Sequence, residues 1–328
     1  VRLVHLSTGT SQVLAGTLGQ CGSFGNHIEA SAALLCRPYD VSLDFAKRHL
    51  YLADAQNHAV RRVELMLEEV TPGRDHIGTN GNYVHAGTIT TVAGMLGRKG
   101  FSGDDGPPDQ AFLAYPVGLA LDLVGRKLFI AEGENHLVRV VDLAEGVIST
   151  LAGVPGVRGT AGDGGPAVSA HLSHPQGLAA DASRGLYVAD HGNHAIRIID
   201  HASGLISTIS GILGSPALPG NFAETSGTST TSRLRYPSGL ALDETKRHLY
   251  FADASHQVVR RMDLINGTLS TALALPGLYG DVGNAGYVGL GLHPQAPRLF
   301  LSQSSSHMVR SLELVVPGNL SQDNSLCW

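Results

Sequence analysis

Apolar and polar positions alternate in short runs along this chain, and the pattern is cleanest between His174 and Gly211. Four runs follow one another there: Gly177–Asp181 (GLAAD), Gly185–Asp190 (GLYVAD), Ala195–Asp200 (AIRIID) and Leu205–Ile209 (LISTI). Clusters of Asp, Gly, Asn and Ser separate them, as tight antiparallel turns require. The spacing predicts a four-stranded meander. The same pattern recurs along the chain, so the repeat sets the architecture.

First strands are predicted near Asp40, Gly118, Gly177, Gly239 and Gly289. An arginine behind an apolar residue marks each third strand: Arg2, Arg61, Arg139, Arg197, Arg260 and Arg310. Val1–Leu6 (VRLVHL) aligns without a gap on Val138–Leu143 (VRVVDL), so the sequence opens on the third strand of a repeat, as expected of a fragment or a processed chain. Six third strands then stand against five first and second strands. One meander cannot bury both of its faces; radial stacking buries both and leaves only short edges, which predicts an all-β β-propeller. The expected ring has six blades in the parent protein. Five are full or nearly full here, in repeats starting near 38, 116, 175, 237 and 287, and residues 1–16 form a partial one. A five-bladed ring closed by the N-terminal strands is the alternative. The propeller spans 1–316 in this reading, and 317–328 is a tail. In the fifth copy the Ala-Asp ending is lost. The first copy carries an insertion, Met66–Gly87, expected to be a surface loop.

The wording of the repeat is itself informative. Pro-x-Gly-Leu-Ala-x-Asp, Leu-Tyr-Val-Ala-Asp, Asn-His-x-Ile-Arg and Ile-Ser-Thr-x-Ala/Ser-Gly together resemble the NHL-repeat family. So do the linking segments Gly100–Pro107 (GFSGDDGP) and Gly159–Pro166 (GTAGDGGP). The resemblance covers nearly the whole chain and implies the propeller. It implies no single activity, because NHL-type and related propellers serve as protein-binding, RNA-binding, lyase or hydrolase modules.

Composition narrows the classes. The 328 residues are 43% hydrophobic and 16% charged, with 41 glycines, which suits a buried core of short strands and excludes disorder. A formal net charge of −5 and the lack of an aromatic-basic platform disfavour nucleic acid. No apolar run approaches the roughly 20 residues of a membrane helix, so no membrane partner is expected. Cys21 and Cys36 flank one loop, which suits either a disulfide in an oxidising compartment or two unrelated thiols. With the sequons at Asn266 and Asn319, this slightly favours an extracellular or secretory setting.

Candidate chemistry sits in the hairpins and long loops. Asp54/Asn57/His58/Arg61 recurs as Asp190/Asn193/His194/Arg197 and as Glu132/Asn135/His136/Arg139; later copies keep Asp253/His256/Arg260 and His307/Arg310. Asp and Asn can fix the turn, and an Asp–Arg pair across strands contributes about 0.2–1 kcal/mol. Read instead as metal ligands, these histidines occur once per blade, too far apart to share an ion at about 2 Å. At the channel mouth the equivalent positions are Arg37, Tyr115, His174, Tyr236 and Gly286. Only one is histidine, so His174 is read as packing or hydrogen bonding. A metal-dependent lyase or hydrolase, the alternative function, would need two further ligands beside it. No Gly-x-Ser-x-Gly elbow, P-loop or His-Glu-x-x-His occurs.

The linkers Gly16–Arg37, Gly94–Tyr115, Gly153–His174 and Gly211–Tyr236 exceed the ordinary hairpin loop of about 2–5 residues, and loops of that length are often functional. Asp104, Asp105 and Asp163 within them are turn formers or Ca²⁺ ligands; EF-hand spacing is absent, and no cofactor is expected. Acidic residues gather on this side, whereas the first-to-second turns carry basic ones such as Arg48, Lys127 and Arg247. The expectation is therefore a non-enzymatic binding or scaffold module. It would engage a protein partner through the long-loop face, with Asp104, Asp105, Asp163, His58, His136, His194, Tyr115, His174 and Tyr236 as binding residues.

Overall fold

The computed structural model describes all residues except 5–9, 70–81, 218–226, 246, 275–287, 293–297, 304–307, 314–325 and 328. His307 and Gly286 thus lie outside the described residues. The chain divides into two compact units, Val1–Leu128 with Val140–Ser149 and Phe129–Arg139 with Thr150–Trp328.

The predicted alternation yields strands where it is strongest. β1 (Arg2–Val4) and β2 (Ser11–Val13) form a two-stranded sheet. β3 (Ile28–Glu29), β4 (Pro38–Asp44), β5 (His49–Asp54), β6 (Ala59–Glu69) and β7 (Asn82–Ala93) form the next, in the order β3-β7-β6-β5-β4. The third holds β8 (Pro116–Asp122), β9 (Lys127–Glu132), β10 (Leu137–Asp142) and β11 (Val147–Ala152). β12 (Pro175–Asp181), β13 (Gly185–Asp190), β14 (Ala195–Asp200) and β15 (Ile206–Ser210) make the fourth. The fifth contains β16 (Gly227–Thr228), β17 (Pro237–Asp243), β18 (His248–Asp253), β19 (Val258–Asp263) and β20 (Thr268–Ala274). β21 (Val288–Leu292), β22 (Arg298–Gln303), β23 (Met308–Glu313) and β24 (Leu326–Cys327) make the last. The described residues therefore hold five meanders and a two-stranded partial one, matching the repeats read from the sequence. β24 comes from within the segment read as a tail and pairs with β23.

One expectation is corrected. The insertion Met66–Gly87 is not simply a loop: β6 and β7 run on into it and pair as far as Glu69 with Asn82. Leu65-Met66-Leu67 and Tyr83-Val84 supply the β-formers that continue the ladder.

Packing explains the repeated wording. In the second unit, Tyr187, Ala189 and Ile196 of one sheet bury against Leu240, Leu249, Phe251 and Met262 of the next. Truncating such a leucine to alanine costs about 2–5 kcal/mol. The glycine of Pro-x-Gly-Leu lets neighbouring first strands approach closely. A Cβ on Gly177 would lie 2.6 Å from the Ser238 carbonyl oxygen and 2.8 Å from Leu240 N. In β4 that place is taken by Asp40, whose carboxylate accepts the Leu119 N–H at 2.8 Å. Val41 of β4 is 50% exposed, whereas the equivalent Leu119, Leu178 and Leu240 are buried. The first strand of the first full repeat thus shows an apolar face that its counterparts cover.

Candidate functional site

At three of the hairpins between second and third strands, a 3₁₀ turn (Ala55–Asn57, His191–Asn193, Ala254–His256) ends on a residue in the left-handed region: His58, His194 or Gln257. The β9–β10 hairpin is a plain turn that also holds His136 there, with φ +59°. Behind the turn lies a buried polar network. The Asp190 carboxylate accepts the Ser173 N–H at 2.8 Å, the Asn193 amide at 2.8 Å and the Arg197 guanidinium at 3.1 Å. Asp54 does the same with Cys36 N, Asn57 and Arg61, and Asp253 with Arg235 N, His256 and Arg260. Arg61, Arg139, Arg197 and Arg260 are among the largest fully buried side chains. These are not surface cross-strand pairs. Removing one partner from a buried pair typically costs about 3–5 kcal/mol, well above the few tenths expected from sequence, because a desolvated charge is left behind. Burial pushes the Asp190 carboxyl up to about 6 against the pull of its donors.

The same network reaches into the long linkers. Asn57 donates to the Gly22 carbonyl at 2.6 Å, and Asn193 to the Gly159 carbonyl at 2.6 Å. Arg61 donates to the Gly25 carbonyl. The linkers Gly16–Arg37, Gly94–Tyr115 and Gly153–His174 align without a gap and carry glycine at every third place from the start: 16, 19, 22 and 25, then 94, 97, 100 and 103, then 153, 156, 159 and 162. Gly94 shows why: a Cβ there would lie 2.4 Å from the His58 carbonyl oxygen, and its φ is +86°. Midway, each linker docks on a fourth strand, with His27 N on Ile89 O at 2.8 Å, Asp105 N on Ile148 O at 2.7 Å and Gly164 N on Ile206 O at 2.7 Å. A 3₁₀ turn follows in each (Ala30–Ala32, Pro108–Gln110, Ala167–Ser169); in the second and third linkers it begins at the Gly-Pro that precedes Ala-x-Leu. The linkers are long because each covers the open edge of an outer strand, a standard protection against edge pairing.

Two sequence-nominated acids are therefore framework. Asp163 pairs with Arg197 at 3.0 Å and accepts the Thr208 hydroxyl at 3.0 Å. Asp105 holds its linker through its main chain, with φ +62°. Asp104 is exposed in the same linker. The charge sorting also weakens: Asp54, Glu132, Asp190 and Asp253 are buried, while Arg98, Lys99 and Arg158 stand exposed on the linkers.

The remaining six candidates pair off. His58 Nδ1 accepts the Tyr115 N–H at 3.1 Å, His136 Nδ1 the His174 N–H at 3.2 Å, and His194 Nδ1 the Tyr236 N–H at 3.2 Å. A backbone N–H can only donate, so each of these imidazoles is unprotonated at Nδ1 when the bond is made. The clamp holds Tyr115, His174 and Tyr236 in the left-handed region, with φ of +56°, +48° and +55°. Rings pack over the clamps: His136 lies tilted on His174 with centroids 4.5 Å apart, and His194 meets Tyr236 edge-on at 4.5 Å. His174 Nδ1 donates to the Gly133 carbonyl at 3.1 Å, and His191 Nδ1 to the Pro237 carbonyl at 3.0 Å. Burial lowers the pKa of His136, His174 and His194, and brings that of His191 to about 4. Among the described residues, no three His, Cys, Asp or Glu side chains are grouped to hold a metal ion. His174 works as the hydrogen-bonding residue read from sequence.

Sequence reasoning missed the apolar side chains of the linkers. In the first unit Leu18 is 64% exposed, Phe24 67% and Phe101 38%. The two linkers bearing them adjoin, since a Cβ on Gly97 would sit 3.6 Å from Ser23 Oγ. Cys21 and Cys36 are joined in a disulfide with Cα atoms 4.6 Å apart, bracketing Phe24. Isolated apolar residues in a linker carry no periodic signal; only the fixed glycine frame around them sets them apart.

Residues 152–263 match the model of the teneurin NHL domain. Human NHL repeat-containing protein 2 is 28% identical over 279 residues, covering 66% of this chain and 37% of that protein. The Arabidopsis thaliana chloroplastic protein SUPPRESSOR OF QUENCHING 1 is 25% identical over 306 residues, covering 80% of this chain and 28% of that one. The chain thus spans 37% of the first of these relatives and 28% of the second. A chain in the crystal structure of a nidogen/laminin complex superposes with a TM-score of 0.56 at 15% identity, covering 91% of this chain and 81% of that one. No helix among the described residues is long and apolar enough to cross a membrane.

Proposed function

The chain belongs to the NHL-repeat family of β-propellers, and from that premise we propose that it is a non-enzymatic binding module engaging a protein partner through its long-linker face. The observation that carries this is the exposure of Leu18, Phe24 and Phe101 on two linkers whose main chains are fixed. Large apolar side chains clustered at a surface mark interaction sites. A frame held by buried Asn and Arg side chains loses little freedom on binding, which favours affinity. Of the acids nominated earlier, Asp104 serves beside this anchor: with the exposed Asp109, Arg98 and Lys99 it forms a mixed polar rim. The Cys21–Cys36 bridge further supports an oxidising compartment as the place of work.

The test compares two double variants at matched stability. Phe24→Ser with Phe101→Ser alters the linker end of the first unit. Phe45→Ser with Val124→Ser alters exposed residues in the first-to-second turns. Partner binding, scored by cross-linking in the native tissue, should fall at least about tenfold in the first variant only, the scale of a central anchor. Loss confined to the second variant would place the contact at the opposite end.

A further inference from the structure

We infer that Asn266 is an N-glycosylation site, an assignment that rests on the oxidising-compartment reading above. The turn joining β19 to β20 presents Asn266-Gly267-Thr268, the acceptor triplet. Asn266 and Thr268 are both exposed, and the neighbouring Ile265 is 79% exposed. The Asp263 carboxylate caps the turn by accepting the N–H groups of Ile265 at 2.8 Å and Asn266 at 3.2 Å. Asn266 Oδ1 accepts the Thr268 N–H at 2.9 Å, folding the triplet into an Asx turn.

The fold does not require asparagine here. The equivalent turns carry Glu145 before Gly146 and Ser203 before Gly204, with the same left-handed glycine, φ +68° in both and +71° at Gly267. Asp142 and Asp200 cap those turns as Asp263 caps this one. Two of the three copies thus build the frame without an acceptor triplet, and the third adds one on exposed residues. The bridge between Cys21 and Cys36 is the independent observation, because the compartment that forms such bridges also holds the glycosyl donor.

In the transfer, Asn266 Nδ2 attacks the anomeric carbon of a lipid-diphosphate-linked oligosaccharide. The C–N bond forms, the anomeric C–O bond to the diphosphate breaks, and the lipid diphosphate leaves with the electron pair while the amide gives up one proton. The attached sugar would cover the bare Ile265. It would stand at the end of its sheet opposite the β18–β19 hairpin.

The experiment uses the full-length protein expressed in its own cells. Peptide-N-glycosidase sensitivity is read together with the redox state of Cys21 and Cys36 on the same sample. The expected result is an oxidised pair and a mobility step that enzyme treatment removes and that Asn266→Gln and Thr268→Ala both abolish. Thr268→Ser should retain it. The second sequon, at Asn319, is separated by Asn319→Gln, which should leave this step in place. An oxidised pair with no Asn266-dependent step overturns the glycosylation and leaves the compartment reading standing. A reduced pair with no step overturns both.

Discussion

Breaking the Cys21–Cys36 bridge tests how the first linker is held. The bridge spans a sequence separation of 15 residues. The chain-entropy relation for such a loop gives about 10 cal/mol/K, or about 3 kcal/mol at 25 °C, removed from the unfolded ensemble. Cys36 is buried, so alanine is the fitting replacement, since serine would bury a hydroxyl. The Cys36 N–H keeps its 2.7 Å bond to Asp54 in either variant. The Gly22 and Gly25 carbonyls lie inside the loop and keep Asn57 and Arg61, so the linker should stay docked in the folded state. The double variant Cys21→Ala/Cys36→Ala should therefore lose about 3 kcal/mol by urea unfolding while hydrogen exchange across Gly16–Arg37 rises only modestly. Thiol titration of the unfolded oxidised wild type should find Cys327 alone. A stability change under about 1 kcal/mol would refute the entropic reasoning. Complete loss of protection in the linker would refute the claim that Asn57 and Arg61 hold it.

Three further outcomes follow from the same framework. Asn193→Ala removes bonds of 2.6 Å to Gly159 and 2.8 Å to Asp190, one of them to a charge, and should cost about 2–4 kcal/mol with exchange rising first across Gly153–His174. Gly177→Ala forces a Cβ to within 2.6 Å of the Ser238 carbonyl and should cost about 1–3 kcal/mol or more, since backbone must move. His191, brought to about 4 by burial, favours the neutral ring in the folded state, so its contribution is complete above its ordinary pKa and is lost as pH falls through that value toward 4. Asp40 and Asp190, raised by burial to about 6, act oppositely, because the fold favours their protonated forms as pH falls from 6 toward the ordinary carboxylate range. His191→Asn should therefore gain about 2 kcal/mol relative to wild type between pH 7 and pH 4.5 in urea melts, and an unchanged difference would refute the assignment.

The strands were legible because alternation and turn residues are local signals, and their recurrence multiplied them. Burial of the Asp–Asn–Arg network was not legible. Asp and Arg are ordinarily exposed, so Asp190 and Arg197 read as a surface cross-strand pair. Nothing short of packing the sheets reveals that both are closed off from water. The insertion Met66–Gly87 read as a loop because it is polar and contains glycines, although Met66-Leu67 and Tyr83-Val84 carry the strand pattern into it. The linkers seemed longer than a connection needs because an outer strand's open edge has no sequence signature. Their glycine spacing was the available clue, and Gly94 shows its physical cause in the approach to the His58 carbonyl.

The framework also decides where specificity can reside. In the three gapless linkers glycines and docking N–H groups occupy the same places, and in two of them the Asn-bound carbonyls do as well, so these main chains are committed to the framework. What differs is the outward side chains: Leu18, Leu96 and Pro155 at one place, Cys21, Lys99 and Arg158 at a second, Phe24, Ser102 and Ala161 at a third. A surface of this kind recognises through side chains on a fixed frame, and the entropy of ordering the loops is met on folding and not on binding. Under the proposed function, Asn57 and Arg61, which are buried and need touch no partner, would act as positioning residues for Phe24. Loosening either one should weaken binding by letting that ring move, even where its exposure is unchanged. Such loss would be recovered by any change that fixes the linker again, which separates positioning from contact.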